Sequence, residues 1–219
     1  MKQAKTSKAW MREHVNDFFV KQARKDGYRS RAAYKLLEIA EHDRLLKPGM
    51  IVVDLGATPG SWSQVVSSKV GAKGKVIALD ILEMLPLPGV EFIQDDFREE
   101  NAILELKKRL GARQPDLVIS DMAPNISGIV VSDQAKSMHL AELALAFSME
   151  HLNYDGSFLV KVFQGRDFDQ FLREMRAGFK KVMIRKPKAS RDRSNELYLL
   201  GIGKNNGYSQ DFSFKVNCI

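Results

Sequence analysis

The stretch Val52-Val53-Asp54-Leu55-Gly56-Ala57-Thr58-Pro59-Gly60-Ser61-Trp62-Ser63-Gln64 constrains the fold more than any other part of the chain. The run to Leu55 is β-branched or apolar except for Asp54. Two glycines then bracket a proline, and a polar helix start follows. Such a pattern is a strand passing through a tight turn into a helix, the first unit of a doubly wound α/β domain. Gly56 and Gly60 have no Cβ, so the backbone there can approach a ligand closely. The helix beginning near Ser61 aims its free N–H groups at the same spot. An ordinary strand–turn–helix with glycines for geometry only would carry the same residues.

The spacing is Gly-x-x-x-Gly, not the Gly-x-Gly-x-x-Gly of dinucleotide sites. Asp54 at the strand end would repel a phosphate. A ligand without phosphates, such as S-adenosylmethionine, therefore fits better than a nicotinamide dinucleotide.

The alternation of apolar runs and turn signals predicts further elements of the same kind. Ser30 reads as the cap of a helix from Arg31 to about Leu46, with Ala33, Leu36, Leu37 and Ala40 on its inner stripe. Lys35 falls off the centre of that stripe and looks like a surface lysine. Strands are expected at Met50–Asp54, Lys75–Asp80, Val90–Gln94, Asp116–Ser120, Ser157–Phe163, Phe179–Ile184 and Glu196–Ile202. Helices are expected from Ser61 to about Val70, then at Ala102–Leu110, Asp133–His151 and Phe168–Arg176, with a loop at Gly128–Ser132.

Several strand ends carry acids. Asp80 stands 24 residues beyond Gly56, where α/β nucleoside sites carry a ribose-holding carboxylate. Asp96 and Phe97 pair an acceptor with a ring, which suits adenine, although aspartates are also common in turns. Asp121 falls outside the carboxyl end of its strand, the usual ligand rim of an open sheet. Lys161 is the oddest residue, because it sits inside an unbroken apolar strand where lysine is almost never buried without a partner. A buried stem with its amine reaching water past the sheet edge is the other reading.

Charge is segregated. The chain has 219 residues and a net charge of +7, and residues 1–35 hold ten bases against three acids. A second cluster, Lys180 to Arg193, has seven bases against Asp192 alone. The remainder is acidic on balance, a footprint suited to nucleic acid, with a solvated basic surface as the plainer reading. The single cysteine, Cys218, precludes an intrachain disulfide, and the four scattered histidines suggest no metal constellation. No apolar run approaches a membrane span of about 18 residues. No secretory leader is apparent, and Glu13 and Asp17 count against a transit peptide.

Asp54–Gln64, Asp121–Asn125, Val160–Gly165 and Ser190–Tyr198 together resemble the FtsJ/RrmJ (RlmE) family of S-adenosylmethionine-dependent ribosomal RNA 2′-O-ribose methyltransferases. The likeness runs from about Arg12 to Lys204, and the combination of motifs carries it. It implies a Rossmann-like methyltransferase fold with a mostly parallel seven-stranded sheet. A lysine–aspartate–lysine–glutamate tetrad would fall on Lys35, Asp121, Lys161 and Glu196. Cofactor positions would fall on Gly60, Trp62, Asp80, Asp96 and Asp121, with Phe97 beside the adenine and Asp54 and Gly56 at the turn. Thr58 and Ser61 depart from the commonest form of that turn.

Composition suggests domain limits, and the resemblance, which does not cover the tail, implies a partner. Residues 1–29 would be a basic RNA-contacting extension, 30–203 the catalytic domain and 204–219 an irregular tail. The substrate would be ribosomal RNA of the large subunit, an A-loop uridine of 23S rRNA in bacterial members, modified in the cytoplasm by a monomer. Lys161 would act either as a base or as a charged orienting group. An RNA-binding assembly factor of the same fold, an enzyme acting on another RNA, a protein or small-molecule methyltransferase, and a nucleotide-dependent oxidoreductase are the competing readings.

Overall fold

A computed structural model of the chain describes residues 17–124, 127–191 and 194–205. The basic stretch 1–16, Asn125, Ile126, Asp192, Arg193 and the tail from residue 206 lie outside the described residues. In chain order the elements are α1 (Phe18–Asp26), α2 (Ala32–Asp43), β1 (Ile51–Leu55), α3 (Ser61–Val70), β2 (Lys75–Asp80), β3 (Val90–Gln94) and α4 (Glu100–Leu110). Then follow β4 (Leu117–Ser120), α5 (Val130–His151), β5 (Ser157–Phe163), α6 (Phe168–Gly178), β6 (Phe179–Arg185) and β7 (Glu196–Lys204).

The seven strands form one sheet in the order β3-β2-β1-β4-β5-β7-β6. Only β7 runs against its neighbours, pairing antiparallel with both β5 and β6. From β1 the chain winds outward through β2 and β3, then returns to β4 on the other side of β1. The crevice between the carboxyl ends of β1 and β4 is thus the topological switch point, where open α/β sheets bind ligands. Gly56 and Asp121 follow directly on the paired residues Leu55 and Ser120.

Strand alternation sorts side chains onto two faces. Ile51, Val53 and Leu55 join Val160 and Val162 in the core beneath α4, α5 and α6. Val52, Leu159 and Tyr198 face the opposite way, into the core under α2 and α3. Asp54 and Lys161 share the alternation of Val52 and Leu159, so they project toward the helix that carries Lys35.

Most expected elements are present with ends shifted by one to three residues. The α2 helix begins at Ala32, where Ser30 Oγ accepts from the Ala32 N–H at 3.2 Å, and ends at Asp43. Arg44 in a left-handed conformation (φ 50°) stops it three residues before the expected end. The expected loop at Gly128–Ser132 is helical from Val130, a correction with a visible cause. Asp133, read as the helix start, reaches back instead to accept from the backbone N–H groups of Ser127 and Gly128 at 2.8 and 3.0 Å. The last strand continues to Lys204, the first residue of the expected tail.

Gly56 and Gly60 have positive φ, 75° and 99°. The space a Cβ would occupy at each is filled by protein. A Cβ at Gly56 would stand 2.1 Å from Met122 Cγ. Gly56→Ala is therefore expected to lower unfolding free energy in urea by about 2 kcal/mol or more, from left-handed strain plus overlap. A change below about 0.5 kcal/mol would contradict this packing.

Candidate active site

The four polar residues of the expected tetrad gather at the carboxyl rim by strand register. Lys161 of β5 lies directly opposite Tyr198 of β7, and Phe163 lies opposite Glu196. Glu196 and Tyr198, two residues apart on one strand, present the same face. Lys161 is buried, its Nζ 3.1 Å from Asp121 Oδ1 and donating to the Asp121 carbonyl at 2.6 Å. The α2 helix brings Lys35 over this face, where its Nζ stands 2.6 Å from Glu196 Oε1. The Lys35 side chain is only 11% exposed, so the residue that looks superficial on a helical stripe is enclosed by β7.

Tyr198, which the sequence reading left as a strand residue, links the two ion pairs. Its hydroxyl donates to Asp121 Oδ1 at 2.8 Å, and the Lys35 ammonium sits 5.6 Å from its ring centroid. The ring also packs against Trp62 at 5.7 Å. Its signal in the sequence is period-2 spacing from Glu196. Burial, reinforced by the charge of Asp121, pushes the Tyr198 hydroxyl well above its usual range, so it stays a donor. Burial alone would also raise the Asp121 carboxyl. The charges of Lys161 and Lys35 and the bonds from Tyr198 and Lys161 outweigh it, and Asp121 lies below the usual carboxylate range.

A cavity of about 630 Å³ opens at the switch point beside Asp121. Gly56, Asp80, Asp96, Phe97 and Asp121 all line it. Asp95, Arg98, Met122 and Pro124, together with Lys136 and His139 of α5, also line it and are not among the expected cofactor positions. Each Asp80 oxygen already accepts one backbone N–H, from Thr58 and from Leu82, both at 2.8 Å. A carboxylate has about four acceptor sites, so capacity remains for a pair of hydroxyls. Asp96 accepts from Arg98 Nε at 2.9 and 3.0 Å, and the bonds from Arg98 hold it below the usual carboxylate range.

Asp54 and Trp62 border a smaller recess of about 50 Å³ next to Gly56 and Asp121. The Trp62 indole donates to the Ala32 carbonyl at 2.8 Å, tying the turn to α2. Gly60 lines neither cavity. Its missing Cβ would stand 2.7 Å from Met84 Sδ and 2.8 Å from Arg29 Nη1.

A cavity lined by Asp80, Asp95, Asp96 and Asp121 against Arg98 and Lys136, with an aromatic ring at one wall, is acidic on balance and suits a ribose-bearing ligand of positive charge. It does not suit a pyrophosphate. S-adenosylmethionine fits this donor set: Asp80 would meet its ribose hydroxyls, Asp96 and Phe97 its adenine, and the Gly56–Asp121 end its sulfonium. Among the described residues no group of three histidine, cysteine, aspartate or glutamate side chains is arranged to hold a metal ion.

Part of the basic charge is engaged within the fold. Arg185 Nε donates to Asp43 at 2.8 Å, and Arg31 pairs with Asp17. Arg29 donates to three backbone carbonyls. Lys21, Arg24, Lys25, Lys186 and Lys188 remain exposed.

The buried Asp54 carboxyl accepts from Ser63 Oγ at 2.6 Å. Burial, aided by Asp121 and Asp80 and opposed by Ser63, raises it from 3.8 to about 7. Its protonated form is favoured on folding, so its contribution to stability is complete below pH 3.8 and is lost as pH rises through about 7. The stability advantage of the wild type over Asp54→Asn should therefore shrink between pH 4 and 8 in urea titrations; a difference independent of pH would contradict it.

A family model described as FtsJ-like methyltransferase matches residues 28–204. Ribosomal RNA large subunit methyltransferase E of Nitrosospira multiformis is 66% identical over 204 residues, covering 93% of this chain and 99% of the relative. The protein of that name from Chromobacterium violaceum is 60% identical over 204 residues, covering 93% and 100%. A crystal structure of a protein assigned as a ribosomal RNA methyltransferase, from Plasmodium falciparum, superposes with a TM-score of 0.74 at 32% identity. It covers 81% of this chain and 98% of that one.

Proposed function

This chain belongs to the FtsJ-like methyltransferase family, and on that premise we propose that it methylates a ribose 2′-oxygen of large-subunit ribosomal RNA, an A-loop uridine of 23S rRNA. It is an S-adenosylmethionine-dependent methyltransferase, and the cytoplasm is the compartment where that substrate would be met. Among the described residues no helix is long and apolar enough to cross a membrane. The observation that carries the reading is the buried Lys161 amine, 3.1 Å from the Asp121 carboxylate at the end of the cavity. Specifying the fold does not require the pair to reach the cavity, whereas orienting an attacking hydroxyl does.

S-adenosylmethionine, when bound, supplies a methyl group made electrophilic by its sulfonium. The chain's own task is to hold the 2′-hydroxyl in line with that methyl. Lys161 donates to the hydroxyl oxygen and Asp121 accepts its proton, so the two fix the direction of the attacking lone pair. A hydroxyl is a weak nucleophile, but its proton becomes strongly acidic as the C–O bond forms. A carboxylate held ionised can then receive it late in the step. This favours Lys161 as a charged orienting group over Lys161 as the base. Positioning of this kind supplies up to about 7–11 kcal/mol in well-aligned cases. Lys35 and Glu196 act secondarily, closing the site and contacting the ribose.

RNA phosphates would be held by the exposed Lys21, Arg24, Lys25, Lys186 and Lys188, with the further bases that the sequence places in residues 1–16. Such binding falls steeply with salt. Residues 30–203 would carry catalysis.

Two outcomes are expected. Labelled methyl offered with total RNA should appear in large-subunit ribosomal RNA at an alkali-resistant linkage; label in protein and none in RNA would overturn the function. Lys161→Ala should abolish transfer while donor binding by calorimetry stays within about threefold of wild type. Wild-type turnover in that variant would overturn the mechanism.

A further inference from the structure

One guanidinium holds the turn and the loop that flank the donor cavity. Arg29 Nη1 donates to the carbonyl of Pro59 at 2.9 Å and of Leu85 at 2.7 Å, while Nη2 donates to the carbonyl of Pro86 at 2.7 Å. Pro59 belongs to the glycine turn after β1. Leu85 and Pro86 belong to the loop after β2, whose Ile81 and Leu82 line the cavity. The Arg29 backbone is fixed as well: its N–H donates to Gln64 Oε1 at 3.1 Å, and Gln64 Nε2 donates to the Gly27 carbonyl at 2.8 Å. Thr58 Oγ1, donating to the Leu82 carbonyl at 3.1 Å, ties the same two segments a second time. Gly60 makes room for this arrangement, since a Cβ there would stand 2.8 Å from Arg29 Nη1.

We propose that Arg29 is a positioning residue for the methyl donor, setting the separation of turn and loop across the cavity, and is not a phosphate contact for RNA. The inference rests on the reading that this cavity takes S-adenosylmethionine. A planar fork of donors is what the task requires, because the acceptors lie on two segments far apart in sequence. A lysine in its place has one nitrogen and keeps at most part of the set. Hydrogen bonds from a charged donor are stronger than neutral ones, so their loss leaves turn and loop held to each other chiefly by the Thr58 bonds. Charge counting assigns Arg29 to the RNA-facing extension; its hydrogen bonds assign it to the donor site.

The test uses the full chain and reads two affinities. Calorimetry gives the dissociation constant for S-adenosylmethionine, and a salt series gives the slope of log RNA affinity against log salt. Arg29→Ala should weaken donor binding about tenfold or more while leaving the RNA salt slope unchanged. Arg29→Lys, which keeps the charge, should recover only part of the donor affinity, and it carries the same comparison if the alanine variant does not fold. Donor affinity within about twofold of wild type in the variant measured would overturn the inference. A salt slope reduced by about 0.7–0.9 with donor binding intact would make Arg29 a phosphate contact and overturn it equally. Absence of donor binding in the wild type would instead remove the reading of the cavity on which the inference stands.

Discussion

A lysine enclosed in a sheet must be given a partner, since an uncompensated buried charge costs several kcal/mol. Asp121 is that partner for Lys161, and the rest of the site follows from the pairing. The carboxylate must emerge from the neighbouring strand β4, which fixes it at the switch point. The Tyr198 hydroxyl, from β7, is a second donor to the same oxygen, Oδ1. Because β7 runs antiparallel to β5, Tyr198 and Glu196 arrive on the same face as Lys161. Glu196 then needs its own counter-charge, and Lys35 on α2 supplies it. Two ion pairs joined through one buried ring form a network whose members are mutually satisfied, the condition under which buried polar groups specify structure.

The two acids at adjacent strand ends show how environment separates chemically identical groups. Asp54 projects under α3, has a serine hydroxyl for a partner, and is pushed up to about 7. Asp121, one strand away, faces two ammonium groups and stays below the usual range. Divergent environments for paired carboxyls are what lets one site hold both a neutral and an ionised form near neutral pH. Here the carboxyl pushed up sits beneath the turn with Ser63, and the one held down faces the cavity.

Much of this architecture was legible in the chain itself. The strand–turn–helix at Val52–Gln64 announces a doubly wound sheet, and Lys161 stands out because its neighbours are all apolar. Lys35 did not stand out, because a helical stripe says which side faces its own core but not what another strand lays over its edge. Tyr198 was hidden for a related reason: an aromatic residue in a strand is ordinarily core, and its hydroxyl partner is 77 residues away. At Gly56 and Gly60 the absent Cβ also makes room for Met122, Met84 and Arg29, packing that spacing along the chain does not reveal. Net charge was the least discriminating signal. Counting cannot distinguish an arginine facing solvent from Arg29 or Arg185, whose partners are carbonyls and a carboxylate brought near only by folding.

The central claim is that the Lys161–Asp121 pair marks the point at which the methyl group is delivered. The most direct measurement is a crystal structure of the full chain with S-adenosylmethionine and a ribose-bearing oligonucleotide. The account predicts a 2′-oxygen about 3–3.5 Å from the methyl carbon and within hydrogen-bond reach of both Lys161 Nζ and the Asp121 carboxylate. A donor bound with its methyl directed away from that pair, or a ribose held by other residues, would contradict it.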